Sequence, residues 1–258
     1  MEFYITEEGR KRQIRWFKVK LYGGLFLATA ALAGGFYVLN YTDFLQVSIE
    51  TQGNQRSRPE TVLAAASDKV LAGFWGQLLG FNNYFSWPSR LDVQTPLIAS
   101  VEVHKELFKK KIILVVQERQ PYGVFCGAQR QCYWFDKQGV LFEPAPVPDG
   151  PLIIKVLSDA KIVPAPGKNV IAELFRPALF SVLNFFEETK IGADRYEIKT
   201  ELQEIQVHLL DGVLLRLSLR FNPDASLRAI QSLQEKGELK KVFYVDATVE
   251  NRLYLKPK

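Results

Sequence analysis

The sequence predicts an α+β protein. A single N-terminal transmembrane helix comes first, then a strand–helix–(short helix)–strand–strand unit, then a β-rich part with two helices. Three observations carry this. Leu21 to Thr42, LYGGLFLATAALAGGFYVLNYT, contains no Asp, Glu, Lys or Arg. Beyond it, short runs of alternating apolar and polar residues recur to the end of the chain, the period of half-buried strands. Only a few longer stretches carry an apolar stripe at helical spacing behind a Pro or Asn start signal.

The uncharged run would extend about 33 Å as a helix, enough for a bilayer core of roughly 30 Å. Arg10, Lys11, Arg12, Arg15, Lys18 and Lys20 precede it, so the positive-inside bias leaves the N-terminus in the cytoplasm and exports the rest. Trp16, Phe17 and Tyr22 at one end, and Phe36, Tyr37 and Tyr41 at the other, suit the two membrane interfaces. A cleaved signal peptide is the rival, because Ala31-Leu32-Ala33 has a small-x-small pattern. The apolar run is longer than the roughly 7–15 residues of a signal core, which favours an uncleaved anchor. Gly24, Ala28, Ala31 and Gly35 share one helix face, where small side chains let a second membrane helix approach.

Charge splits with this topology. Residues 1–20 carry six basic and three acidic residues, +3 of the total +5, and the remaining 27 basic and 25 acidic residues nearly cancel. A nearly neutral exported part argues against nucleic-acid binding. Residues 1–20 are expected to form a cytoplasmic tail, poorly ordered beyond the last turn before the membrane.

After the span, Phe44 to Glu50 alternates as a strand, and Gln52-Gly53-Asn54 makes a turn. Arg58-Pro59-Glu60 opens a helix with Val62, Leu63, Ala66, Val70 and Leu71 on its apolar face. Phe74, Trp75, Phe81, Tyr84, Phe85 and Trp87 are expected in the core, the nearby membrane surface being the other reading. Arg90 to Ile98 is expected to hold a short second helix. Ser100 to His104 and Ile112 to Glu118 read as strands around a Lys109-Lys110-Lys111 turn. These features bound a first extracytoplasmic domain at 43–118, after a tail at 1–20 and the span at 21–42.

Residues 119–258 read as a second domain. Tyr122 to Cys126, Cys132 to Asp136, Val140 to Phe142 and Leu152 to Val156 are short strands, with Pro144, Pro146, Pro148 and Pro151 stiffening one loop. Ile171 to Thr189 reads as an amphipathic helix with Leu174, Ala178, Val182 and Phe185 on one side. Tyr196 to Lys199, Ile205 to Leu210 and Val213 to Leu219 follow as strands, the last two joined by the hairpin signal Asp211-Gly212. Asn222-Pro223 starts a helix, Leu227, Ile230 and Leu233 form its inner face, and Gly237 stops it. Val242 to Asp246 and Leu253 to Leu255 close the chain. Cys126 and Cys132 face each other if the residues between them form a hairpin loop. Export permits a disulfide there, and two reduced strand cysteines are the other reading.

Chemistry is sparse. His104 and His208 lie on separate strands without a cluster of metal ligands. There is no Gly-rich phosphate loop, no CxxC and no G-x-S-x-G. Cys126 with His104, or Ser48 in a Ser–Lys arrangement, would be needed for an anchored hydrolase, and neither has the expected context. The reading is a non-enzyme with no metal and no cofactor.

The order of these segments resembles the FtsQ/DivIB family of bacterial cell-division proteins. Val47-Ser-Ile-Glu-Thr-Gln-Gly-Asn54 is similar to the opening strand and turn of the family's POTRA domain. Pro96-Leu-Ile-Ala-Ser-Val-Glu-Val103 and Ile112-Ile-Leu-Val-Val-Gln-Glu-Arg-Gln-Pro121 resemble its later strands, the second ending in Glu-Arg-x-Pro. Tyr133-Trp-Phe-Asp-Lys-Gln-Gly-Val-Leu-Phe142 resembles its Asp-x-x-Gly hairpin. Val242-Phe-Tyr-Val-Asp246 and Leu253-Tyr-Leu-Lys256 resemble its last two strands. Lys109, where the family often has Pro, and Ala247-Thr248, where it usually has hydrophobic-Arg, mark a divergent member.

The resemblance implies a POTRA-like domain beside the membrane and a β domain beyond it. It also implies a non-catalytic division scaffold in the bacterial inner membrane, concentrated at the septum. The implied partners are FtsB/DivIC-type and FtsL-type bitopic proteins and, through them, FtsW and FtsI. The implied contact is β-augmentation, a partner strand added to an open sheet edge. The expected edge runs from Val245 to Tyr254, through Asp246, Ala247, Thr248, Val249, Asn251 and Leu253. An envelope assembly or secretion subunit with other partners is the alternative.

Overall fold

The computed structural model describes residues 7–41, 45–93, 95–127, 129, 131–159 and 163–258. Thr42 and Phe44, expected to end the span and open the first strand, lie outside them. The fold is mixed α+β: one N-terminal apolar helix, and a β-rich body with few helices. Helix α1 runs from Glu7 to Tyr41, so the basic segment expected to be poorly ordered is helical from Glu7 onward. Its stretch Arg15–Val38 is long and apolar enough to cross a membrane, and none of it is buried. Gly24 and Gly35 on the small-residue face have nothing within 4 Å of where a Cβ would sit.

The body divides into two compact units. The first holds β1 (Ser48–Gln52), α2 (Pro59–Ala72), α3 (Phe74–Leu79), β2 (Arg90–Leu91) and most of β3 (Ile98–Glu106) and β4 (Lys111–Glu118). Its sheet order is β1-β4-β3-β2, with β1 parallel to β4 and Ser48 opposite Lys111. Gly53 turns the chain after β1 with φ +85°, and a Cβ there would lie 2.6 Å from the Val116 carbonyl oxygen. Pro59 starts α2, whose Val62, Ala66 and Val70 recur every fourth residue and are buried.

Two expectations fail in this unit. No helix occupies Arg90 to Ile98 among its described residues. Leu91 and Val93 are both buried, a two-residue spacing that belongs to extended chain, and Pro96 follows. The short second helix is instead α3. The aromatic residues of this region also divide. Trp87 is buried, 1% exposed, and donates from Nε1 to the Phe81 carbonyl. Phe74, Trp75 and Phe85 are exposed, so they are not core.

The second unit is built on a nine-stranded sheet. Its strands are β5 (Gly123–Cys126), β6 (Cys132–Phe135), β7 (Leu141–Pro144), β8 (Ile154–Ser158), β9 (Ala193–Lys199), β10 (Glu204–Leu209), β11 (Leu214–Ser218), β12 (Val242–Ala247) and β13 (Tyr254–Pro257). The order across the sheet is β13-β12-β11-β10-β9-β8-β5-β6-β7. Two helices carry the chain between parallel neighbours: α4 (Arg176–Thr189) from β8 to β9, and α5 (Asp224–Glu235) from β11 to β12.

Both helices cover one sheet face. Leu179, Val182 and Leu183 of α4 and Leu227 and Ile230 of α5 pack against inward strand residues such as Val207, Leu215 and Val245. The inner face of α4 differs from the sequence expectation. Leu174 is exposed and Phe185 only partly buried, while Leu179, Leu183 and Phe186 point inward. Pro177 stands at the start of α4, leaving Leu174 in a preceding 3₁₀ turn and out of phase with the helix. Asn222 accepts a hydrogen bond from the Asp224 amide at the start of α5, and Gly237 ends that region with φ +68°.

Candidate functional site

The two ends of the nine-stranded sheet are built differently. At one end, β7 pairs with β6 on its inner side. Its outer side is occupied by a return of the chain: the Leu141 amide donates to Lys168, Gly167 donates back to Leu141, and Val170 donates to Gly139, at 2.6–2.8 Å. At the other end lies β13. It pairs with β12 alone, and among the described residues no strand occupies its outer side.

This corrects the expected edge. Val245, Asp246 and Ala247 belong to β12, which is paired on both sides, to β11 and to β13. Val245 and Ala247 point into the core. Asp246 accepts from Arg216 at 3.2 Å and from the Thr248 amide and hydroxyl. Arg216 also reaches Glu204 at 3.1 Å, so one guanidinium links β10, β11 and β12. Thr248, Val249 and Asn251 form the turn between β12 and β13, with Asn251 at φ +57°. Leu253 is partly buried against the core. Of the expected set, only Tyr254 lies within the edge strand.

The expected edge stops at Tyr254 and leaves out Leu255 and Lys256, although both lie in segments read as the last strand, and Pro257 is not read as strand at all. Pro257 was the available signal, because a proline within a sheet is confined to edges, strand starts and bulges. Alternation along β13 shows why it fits. The Lys258 amide donates inward to Lys241, so the Pro257 position faces outward, where no N–H is required of it. By the same alternation Leu255 presents its N–H and C=O to the outside. Exposed Phe243, Val249, Tyr254 and Leu255 side chains surround this edge.

The remaining candidates do not converge on chemistry. Cys126 and Cys132 stand directly opposite across β5 and β6 and are disulfide-bonded, with Cα atoms 4.1 Å apart. A cysteine nucleophile needs a thiolate, which that bond removes. The Ser48 hydroxyl donates to the Lys110 carbonyl. His104 is exposed on β3. His208 on β10 sits with Nε2 3.2 Å from Glu197 without a hydrogen bond, and with Nδ1 3.4 Å from Arg195. Burial, followed by the Arg195 charge, lowers its pKa, against the pull of Glu197 and Asp194. Burial alone would raise the pKa of Glu197, but hydrogen bonds from Arg195 and Lys199 outweigh it and the net direction is down. Among the described residues no three His, Cys, Asp or Glu side chains are grouped to hold a metal.

Fold and edge together define a class: an α+β chain with one N-terminal apolar helix and a β-rich body whose large sheet has an edge strand paired on one side only among the described residues. No family model matches this chain, and no curated protein matches it in sequence.

Proposed function

We propose that this chain is a bitopic, non-catalytic cell-division scaffold of the FtsQ/DivIB type. Helix α1 anchors it in the bacterial inner membrane with its N-terminus in the cytoplasm, and β13 receives a partner strand. The carrying observation is the contrast between the two sheet ends: β7 is sealed by the chain itself, while β13 keeps an outward N–H and C=O at Leu255. Added strands bind through such backbone groups, and neighbouring side chains supply selectivity.

Two further features support the reading. The β1-β4-β3-β2 sheet with α2 and α3 suits a POTRA-like domain. Arg119 and Asp136, from the Glu-Arg-x-Pro and Asp-x-x-Gly motifs, form an ion pair, and Asp136 also accepts from the Gln138 and Val140 amides. Arg119 additionally holds the Pro96 and Leu97 carbonyls, so three of the motifs that resemble the family meet. The partners of this reading are FtsB/DivIC-type and FtsL-type proteins, with FtsW and FtsI reached indirectly.

The test is a photo-crosslinking residue at Tyr254 in the full chain, in membranes, with the captured proteins identified. Short bitopic partners, together with midcell concentration of a fluorescent fusion, are the expected result. Capture of outer-membrane or secretion components with diffuse envelope fluorescence would overturn it in favour of an envelope assembly role.

A further inference from the structure

The exposed aromatic residues of α3 and the segment after it are left unexplained by the β13 edge. From Val70 to Ser89, VLAGFWGQLLGFNNYFSWPS, there is no Asp, Glu, Lys or Arg, and Lys69 and Arg90 stand at the two ends. An uncharged stretch of this length would ordinarily be interior. Here Phe74 is 71% and Trp75 54% exposed, and Leu71, Leu78 and Phe85 are exposed with them.

The local geometry sets this orientation. A Cβ at Gly76 would collide with the Val70 carbonyl oxygen, so only glycine lets α3 press this closely on the end of α2. With Gly76 facing inward, Phe74 and Leu78 lie about 160° around the helix from it, and Trp75 about 100°. Ser86 donates to the Trp75 carbonyl, and buried Trp87 holds the Phe81 carbonyl, so the loop after α3 is fixed from beneath.

The route of the chain identifies what meets this patch. Tyr41 ends α1 and Ser48 begins β1, with only positions 42–47 between them. Seven residue steps reach at most about 25 Å. That incoming chain lands on the aromatic segment itself: Val47 donates to the Asn82 carbonyl, Tyr84 donates to the Leu45 carbonyl, and Gln46 bridges Asn83. An uncharged surface rich in Trp and Phe, flanked by cations and tied to an apolar helix within that reach, has the chemistry of a membrane-interface contact.

We infer that α3 and its following loop form a second, peripheral membrane contact, with Phe74 and Trp75 seated at the lipid headgroup boundary. The occupant is the bilayer surface, not a second protein. This inference rests on α1 being a membrane anchor.

The test uses the full chain carrying Trp16→Phe, reconstituted in phosphatidylcholine vesicles with and without brominated acyl chains. Emission from Trp75 is the difference between this protein and one that also carries Trp75→Phe. Expected is a blue-shifted Trp75 component, quenched more by shallow than by deep bromines and independent of the protein-to-lipid ratio. Phe74→Glu in the Trp16→Phe chain shifts this component to the red and relieves its quenching, while the remaining emission, from Trp87 and Trp134 together, stays unchanged as the record of folding.

Unquenched Trp75 in protein that floats with the vesicles and resists alkaline extraction overturns the inference and leaves the anchor standing. Shelter of Trp75 only at high protein-to-lipid ratio overturns it in favour of a contact between two copies. Failure to float removes the anchor, and the inference falls with it.

Discussion

The nine-stranded sheet ends in two short strands of four residues each, and the chain treats them in opposite ways. Outside β7, the 167–170 segment bonds both the N–H and the C=O of Leu141, which is buried. Outside β13, the edge is kept short, Pro257 removes one outward donor, and Lys256 and Lys258 add charge. Those are ordinary protections against unwanted pairing. Within β13 one outward N–H remains, at Leu255, with outward carbonyls at Leu255 and Pro257, so the protection is partial. One end of the sheet is therefore bonded by the chain's own return, and the other has no strand on its outer side among the described residues.

The same substitution at both ends breaks or sharpens this contrast. Leu141→Pro removes the hydrogen bond to Lys168 and a fully buried leucine. It should cost about 4 kcal/mol, from the lost core side chain and the proline-blocked ladder together, read as a lowered unfolding midpoint of the full chain. A shift under a quarter of that would mean the 167–170 segment does not seal the edge.

The next effect belongs to the disulfide beside the sealed end. Cys126→Ser with Cys132→Ser opens a small loop and should cost about 2 kcal/mol by the chain-entropy argument. Unchanged midpoints for the oxidised, reduced and substituted chains would show that the β5–β6 hairpin needs no staple.

Leu255→Pro is the matching change at the open end. Its outward N–H faces no strand among the described residues, so stability should move by less than about 0.5 kcal/mol. Partner capture at Tyr254 should fall about tenfold, the equivalent of roughly 1.4 kcal/mol. Undiminished capture would remove strand addition at β13 as the mode of binding.

The smallest effect is in pH. The folded pKa of His208 lies below its ordinary value of 6.5, chiefly because the ring is buried. The unfolded chain therefore takes up a proton that the folded chain resists, and the stability from this group is complete above about pH 6.5. It is lost progressively as pH falls below that value toward the folded pKa. Glu197 also has a depressed folded pKa, so its contribution is complete above its ordinary value of 4.5 and is lost as pH falls below it. His208→Gln should flatten the first part of the decline, measured as unfolding midpoint between pH 7 and pH 5. An unchanged slope would place the acid sensitivity elsewhere.

Local chemistry was enough to read much of this molecule. The uncharged run of α1, the alternation in β10 and β11, the Asp211-Gly212 hairpin and the Asn222-Pro223 helix start depend on neighbours within a few residues. Such signals survive in a linear sequence because backbone geometry and side-chain period act over one turn or one strand. The misreadings arose where phase mattered. Pro177 reset the helix that Leu174 had seemed to begin. Leu91 and Val93 carried a two-residue period too brief to separate from the expected helix.

What only the tertiary structure decided was partnership across long separations. Val245 and Ala247 look like outward candidates until β12 is seen between β11 and β13. Leu141 looks like an edge until Gly167 and Lys168 return to cover it. Phe74 and Trp87 are both aromatic, and nothing local separates the exposed ring from the buried one. Burial depends on which surfaces meet, and those meetings join residues tens of positions apart through packing that no local period encodes. The sequence by itself therefore determined the kinds and order of the elements, while the assembled sheet decided which strand was left open.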